Sequence, residues 1–422
     1  MTASANEGSD PGAAPDRSDA PDRADAPDRS DAPDRWDAPD RLVYLDNAAT
    51  SFPKPRACLE RTFETYARLG VSPGRGVYDL SEEASAYVDA ARGRLAGFFG
   101  APDPERVVFA ANATDALNLA IQGMTRPGDH VVSTRLEHNS VLRPLWHLRE
   151  AGRITFDLVP FDGQGLVDPA DVARAIRPET SLVVVSHASQ VLGTVQPVAE
   201  IAAACAARGV PLLVDAAQSA GHVPVRLSDW QVSAIAFTGH KALLGPSGSG
   251  GLVVAPDTEI APTRFGGTGV DSGSLVHTPT YPHRLEAGTL NLLGVIGLSE
   301  GLSFVQAEGM AAAHEREIFL ARRLREGLAA LPGVVVYSPV PRHGDVPIVS
   351  CNVAAIAPAD VGAILDGDYG IAVRTGLQCA PLVHHDLHTA EQGAVRFSLG
   401  HFTSADDIAW ALQAMTAIAQ SA

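Results

Sequence analysis

From residue 42 onward the hydrophobic positions fall in short continuous runs rather than in strict alternation: Val107-Val108-Phe109, Leu182 to Val185, Leu212-Leu213-Val214 and Ala234 to Phe237 are apolar at every residue. Strands buried on both faces read this way, and parallel sheets are the ones covered on both faces. Strands are therefore predicted at Arg106–Ala110, His130–Ser133, Ile154–Val159, Ser181–Ser186, Pro211–Val214 and Ala234–Phe237. Helical stretches separate them at Asp115–Gly123, Ser140–Ala151, Pro169–Ile176 and Val198–Arg208. This alternation predicts an α/β fold with a mostly parallel sheet sandwiched between helices. Leu252-Val253-Val254, after a Gly/Ser turn, reads as an additional antiparallel strand. Upstream, Leu42 to Asp46 is a short strand and Ser72 to Gly76 a turn. Asp79 with Glu82 has the spacing of a capping box opening a helix to about Phe99. A single long helix is expected from about Leu298 to Leu328. After it, strands at Val334–Tyr337, Val346–Val353 and Ala394–Ser398, with helices at Pro358–Leu365 and Ala405–Ala419, make a smaller α+β unit. The division is thus a large domain over 42–300, its first segment joining the small one, and a small domain over 301–422.

Before residue 42 the pattern vanishes. Asp-Ala-Pro-Asp-Arg recurs every six residues from Asp19 to Arg41. Regular proline and almost no apolar content cannot offset chain entropy, so residues 1–41 are expected to be a disordered low-complexity tail. The formal charge of −17 argues against a nucleic-acid partner. No apolar run approaches the ~20 residues of a spanning helix, so no membrane is expected. Four widely spaced cysteines, Cys58, Cys205, Cys351 and Cys379, form no CxxC pair, and no secretory signal is present. Reduced thiols and a cytoplasmic location are the expectation, and no metal is expected.

Basic residues change the picture most. Of 32 Lys plus Arg, only Lys54 and Lys241 are lysine. Arginine stays protonated, whereas a lysine amine can be desolvated, deprotonated and condensed with a carbonyl. Lys54, between two prolines, reads as a loop residue. Lys241 follows a strand and precedes a Gly/Pro/Ser turn. In an open parallel sheet ligands bind beyond the carboxyl ends of the strands, and polar clusters collect there: Asn112 to Asp115, Glu137 to Ser140, His187 to Gln190, Asp215 to Gln218 and Thr238 to Lys241. Thr114 at a helix N-terminus suits a phosphate. A carboxylate such as Asp215 can keep a pyridine nitrogen protonated, a lysine can hold an aldehyde and shuttle protons, and a flat His138 can stack on a ring. Singly, each of these residues reads as a helix cap or a loop residue. Five clusters at successive strand ends, the last holding one of the chain's two lysines, outweigh those separate readings.

These residues resemble the class V, fold-type I pyridoxal-phosphate enzymes, specifically the cysteine desulfurase and selenocysteine lyase group. The matching blocks include Tyr44 to Thr50, Asn112 to Asn118, Glu137-His138-Asn139, Val214 to Gln218, Thr238 to Lys241, Glu286 to Thr289, Arg374 to Ala380 and Val395 to Ser398. The resemblance implies a large domain with a mostly parallel seven-stranded sheet, a smaller α+β domain, pyridoxal 5'-phosphate as cofactor and a homodimer. It implies Lys241 as the Schiff-base lysine, Asp215 at the ring nitrogen, Gln218 near the ring hydroxyl and His138 stacked on the ring. Thr114, Thr238 and His240 would hold the phosphate, with Thr289 reaching in from the other subunit. Gln190 stands where the family usually has Asn. Arg396, Arg374 and Asn47 would serve the substrate, L-cysteine. Cys379 would be the nucleophile that takes its sulfur for an acceptor protein, and its expected setting is a partly exposed loop with positive charge nearby, His384 and His385 included. Leu377-Gln378 replaces two histidines of the better-known sulfur-mobilising members. Alternatives are a selenocysteine lyase, another class V enzyme (transaminase, epimerase or C–S lyase) and an inactive scaffold in sulfur transfer.

Overall fold

The computed structural model describes residues 42–74 and 76–421; the expected disordered tail and Arg75 of the 72–76 turn lie outside the described residues. The chain enters through β1 (Val43–Tyr44), α1 (Arg56–Leu69) and α2 (Asp79–Phe99). Alternation then follows: β2 (Val107–Ala110), α3 (Ala113–Met124), β3 (Asp129–Thr134), α4 (Asn139–Glu150), β4 (Ile154–Val159), α5 (Pro169–Ala175) and β5 (Thr180–Ser186). It continues with α6 (Val198–Ala206), β6 (Leu212–Asp215), α7 (Leu227–Trp230), β7 (Ala234–Thr238) and β8 (Gly250–Val254).

These strands form one seven-stranded sheet in the order β2-β8-β7-β6-β5-β3-β4. Only β8 runs against the others, antiparallel to both β2 and β7. The continuous apolar runs have their cause here, because successive residues of each strand enter different cores. Val183, Val185, Val214, Ile235 and Phe237 pack with Phe99 of α2 and Ile201 of α6. Leu182, Val184, Leu213, Ala234 and Ala236 pack with Leu117 and Ile121 of α3 and Leu145 of α4. Both faces are dry.

Two local expectations are corrected. The α2 helix has Tyr78, not Asp79, at its N-cap, with no side-chain cap; Asp79 and Glu82 sit inside the first turn, where their charge favours the helix dipole. The single helix expected over 298–328 is two, α8 (Leu292–Glu308) and α9 (Met310–Ala329). They are separated by Gly309 at φ 80°, a conformation only glycine adopts without strain.

The rest of the chain comprises β9 (Val334–Val336), β10 (Ile348–Val353), α10 (Pro358–Tyr369), β11 (Ile371–Ala372), α11 (Pro381–Asp386), β12 (Val395–Ser398) and α12 (Ala405–Ser421). An antiparallel β12-β10-β9 sheet packs its Val349 and Phe397 on Leu320 and Leu324 of α9 and Met415 of α12. The β1 strand pairs in parallel with β11, Val43 opposite Ile371, so the first described segment is woven into this second sheet system. That pairing carries Asp46 to β12, where it bridges Ser398.

Candidate active site

The carboxyl ends of β5, β6 and β7 are held in step by register, with Ser186 opposite Asp215 and Asp215 opposite Ala236. Asp215 is therefore fixed at a strand end, 6% exposed, with its carboxylate accepting from the Ala217 N–H (2.9 Å). Burial raises its pKa, while that hydrogen bond and the Lys241 charge oppose the rise. Three residues past the end of β7 comes Lys241. Burial lowers its amine to about 8, Arg396 adds to the fall, and Asp215 and Cys379 oppose it. An amine near this value is partly neutral at physiological pH, as a proton shuttle requires.

Lys241 and Asp215 open on one cavity of about 360 Å³ together with Thr114, His138, Gln190, Gln218, Thr238, His240, Arg374, Cys379 and Arg396. The α3 N-terminus forms one wall. Asn112 caps it, its Oδ1 accepting from the Asp115 N–H (3.0 Å), and the Asp115 carboxylate returns to the Ala111 N–H (3.1 Å). Thr114 presents its hydroxyl beside Ser140 Oγ (2.6 Å). His138 caps α4: its Nδ1 accepts from the Ser140 N–H (3.0 Å), which leaves Nε2 as the protonated nitrogen of a neutral ring. Burial, with Lys241 and Arg143 nearby, holds its pKa down to about 4. His240 is likewise lowered to about 4 by burial and by the two lysines. Gln218 donates to the Ala48 carbonyl (3.1 Å).

The opposite wall comes from the second sheet. Arg396 of β12, 3% exposed, donates to Asp46 (2.7 Å) and to the Gln190 carbonyl (3.2 Å). Arg374 is paired to Arg396 backbone to backbone. Cys379 is exposed, whereas Cys58, Cys205 and Cys351 are buried, and none of the four is in a disulfide. Burial pushes the thiols of Cys205 and Cys351 up to about 12, so neither is a thiolate.

Several buried polar atoms around this cavity have no partner in the protein: Gln190 Nε2, Thr238 Oγ1, His240 Nδ1 and Arg396 Nε. Orphaned buried groups are costly, and their convergence marks a site built for a polar ligand. The set fits pyridoxal phosphate: a lysine, a carboxylate for the ring nitrogen, a flat neutral imidazole, and hydroxyl and helix-terminus donors for a dianion.

Three expectations need restating. Asn47 is not brought to the cavity; its amide donates to the Tyr44 and Ser398 carbonyls (3.2 and 3.1 Å) and accepts from the Phe52 N–H (3.3 Å), so it ties the entry segment to β12. Thr289 stands exposed on a separate cavity of about 510 Å³, away from Lys241 of its own chain. His384 supplies no positive charge to Cys379, because it is fully buried and burial lowers its pKa to about 4; His385 instead pairs with Asp386 (3.0 Å).

Two residues given no site role from the sequence, Lys54 and Glu137, support the site. Lys54 donates to Ser51 Oγ (2.5 Å) and to the carbonyl of His240 (2.8 Å), the residue before Lys241. Thr50 Oγ1 and the Ser51 N–H reach the same carbonyl (both 3.0 Å), and Ser51 Oγ donates to the Lys241 carbonyl (2.9 Å). Both lysines of the chain thus serve one turn; their scarcity was the available signal. Glu137, fully buried and raised to about 7 by burial, accepts from Thr134 Oγ1 (2.6 Å), Ser186 Oγ (2.7 Å) and the Ser186 N–H (3.0 Å). It fastens the loop carrying His138 to the end of β5.

Comparison with known proteins agrees with this geometry. The aminotransferase class-V family profile matches residues 43–410. A probable cysteine desulfurase of Methanothermobacter thermautotrophicus is 35% identical over 87% of this chain and 92% of its own length. A cysteine desulfurase of Pectobacterium atrosepticum is 34% identical over 87% and 90%. The apo structure of the cysteine desulfurase from Thermococcus onnurineus NA1 superposes with a TM-score of 0.84 at 33% identity, covering 90% of this chain and 95% of that one. The chain belongs to the aminotransferase class-V family, in the group of the cysteine desulfurases.

Proposed function

We propose that this protein is a cysteine desulfurase that converts L-cysteine to L-alanine and keeps the sulfur as a persulfide on Cys379. The observation that carries this reading is that Lys241 and Cys379, from two different sheet systems, line the same cavity with Asp215. Pyridoxal phosphate, when bound, supplies an electron sink for the substrate's Cα–H bond. Asp215 would hold the ring nitrogen, His138 the ring face, Gln190 and Gln218 the ring oxygen, and Thr114, Thr238 and His240 the phosphate. Arg396 suits the substrate carboxylate, since its fork has a free Nε and is already oriented by Asp46. Arg374 lies on the same wall.

Lys241 takes the Cα proton and returns one to carbon. The Cys379 thiolate attacks the substrate sulfur; an S–S bond forms, the Cβ–S bond breaks, and its electron pair goes to carbon, which is protonated and leaves as alanine. Atoms balance without an added oxidant, and the persulfide sulfur awaits an acceptor protein with its own thiol. A second copy of the chain would complete the site through the partner subunit's Thr289. The surface position of Thr289 supports this, as do the exposed Phe265, Leu275 and Val276 of the neighbouring segment. Four cysteines with no disulfide between them fit a reducing, cytoplasmic setting.

The test is alanine formation from L-cysteine by the purified protein. Lys241→Ala should abolish the absorbance of lysine-bound cofactor, and Cys379→Ser should lower alanine formation by about a hundredfold or more. Full-rate alanine formation by Cys379→Ser would overturn the assignment of the nucleophile.

A further inference from the structure

The backbone at Cys379 is unusual. Gln378 and Cys379 stand at φ 41° and 57°, two successive side-chain-bearing residues in the left-handed region that ordinarily suits glycine. Such a conformation persists only where its surroundings over-determine it. The Cys379 carbonyl accepts from the Asn139 N–H (2.8 Å), and the Ala380 N–H donates to the Leu377 carbonyl (2.8 Å). These bonds close the loop, and one side-chain chain anchors it to the body of the protein.

Gln378, 8% exposed, donates from Nε2 to the Ala394 carbonyl (2.9 Å). Its Oε1 therefore faces His384 Nε2 (2.7 Å). A carbonyl oxygen can only accept, so His384 Nε2 carries the proton and Nδ1 is the acceptor, matched by the Thr389 hydroxyl (2.8 Å). The Thr389 N–H in turn binds the His384 carbonyl (2.8 Å). His384 is fully buried and takes no part in lining the cavity. Every polar side-chain atom of Gln378, His384 and Thr389 thus has a partner.

We propose that His384, acting through Gln378, is a positioning residue that holds the Cys379 thiol in line with the substrate sulfur. The inference rests on the reading of Cys379 as the sulfur-accepting nucleophile. It also makes Gln378 the tether between the strained loop and a fixed imidazole.

The test separates the work of Cys379 from that of Lys241 in the full-length, cofactor-loaded protein. Alanine formation from L-cysteine needs both residues, whereas deuterium exchange at Cα of L-alanine in heavy water needs Lys241 alone. His384→Phe removes both hydrogen bonds and keeps a ring. Alanine formation should fall about tenfold through kcat, the scale of one lost buried hydrogen bond. KM for cysteine and the Cα exchange rate should stay within about twofold. His384→Gln, whose amide can still donate to Gln378, should recover most of the rate. Should His384→Phe fail to fold, Thr389→Val, which strips only the hydroxyl, should lower alanine formation about threefold with exchange unchanged. Alanine formation within about twofold of wild type in His384→Phe or, where that variant does not fold, in Thr389→Val would overturn the proposal. So would a parallel fall in exchange, or a His384→Gln variant no better than Phe. A wild-type protein that exchanges the Cα proton yet forms no alanine would instead sink the reading of Cys379 itself.

Discussion

Replacing Lys54 by Met should damage catalysis without damaging the fold. The lysine ammonium is held at the His240 carbonyl and Ser51 Oγ in a setting that lowers its pKa from 10.5 to about 7. At about 1.4 kcal/mol per pH unit, that fall corresponds to a cost of about 5 kcal/mol for a charged lysine placed there. That pKa is already the balance of desolvation against the two hydrogen bonds, so they offset only part of the burial cost. The His240 carbonyl keeps two other donors, the Thr50 hydroxyl and the Ser51 N–H, so the substitution strands no buried acceptor. Lys54→Met is therefore expected to be at least as stable as wild type at pH 7. Turnover should nevertheless fall about tenfold, because the turn that aims Lys241 loses its strongest clamp. Between pH 7 and 10.5 the unfolded chain holds the Lys54 proton and the folded chain does not. Wild-type stability thus rises with pH through that window, and any advantage of the variant should shrink as the pH is raised. Urea unfolding at pH 7 and 9 beside alanine-formation kinetics checks all three statements. A clear loss of stability at pH 7, or unchanged turnover, would contradict this role for Lys54.

Other substitutions probe the walls of the site. Arg396→Lys keeps the charge but not the fork that meets Asp46 and Gln190, and should raise KM for L-cysteine about tenfold or more with a smaller effect on kcat. Arg92→Met strands Glu286, whose carboxylate is paired with Arg92 at 2.6 Å and is mostly buried; urea unfolding should register a loss of about 3–5 kcal/mol.

Much of this architecture could be read along the chain because the physics is local. A strand covered on both faces must be apolar at every residue, so β5, β6 and β7 announced themselves, and with them the positions of Asp215 and Lys241. What could not be read depends on contacts between residues far apart. Lys54 looked like a loop residue because the carbonyl it binds lies 186 residues away. Asn47 looked available for substrate, yet two of its three partners are backbone groups of its own turn and the third is Ser398. The break at Gly309 was hidden because one glycine inside a helical pattern carries no sign of its φ. His384 looked like a source of positive charge near Cys379, but burial in a hydrogen-bonded chain keeps it neutral. Glu137 gave no local hint of being the buried peg between β3 and β5.

The most direct measurement is the mass of the Cys379 peptide after the cofactor-loaded protein has met L-cysteine with no acceptor present. A single sulfur atom should be gained on Cys379, in step with the first equivalent of alanine, and none on Cys58, Cys205 or Cys351. Alanine appearing while Cys379 stays unmodified, or sulfur found on one of the buried thiols, would contradict that role for Cys379.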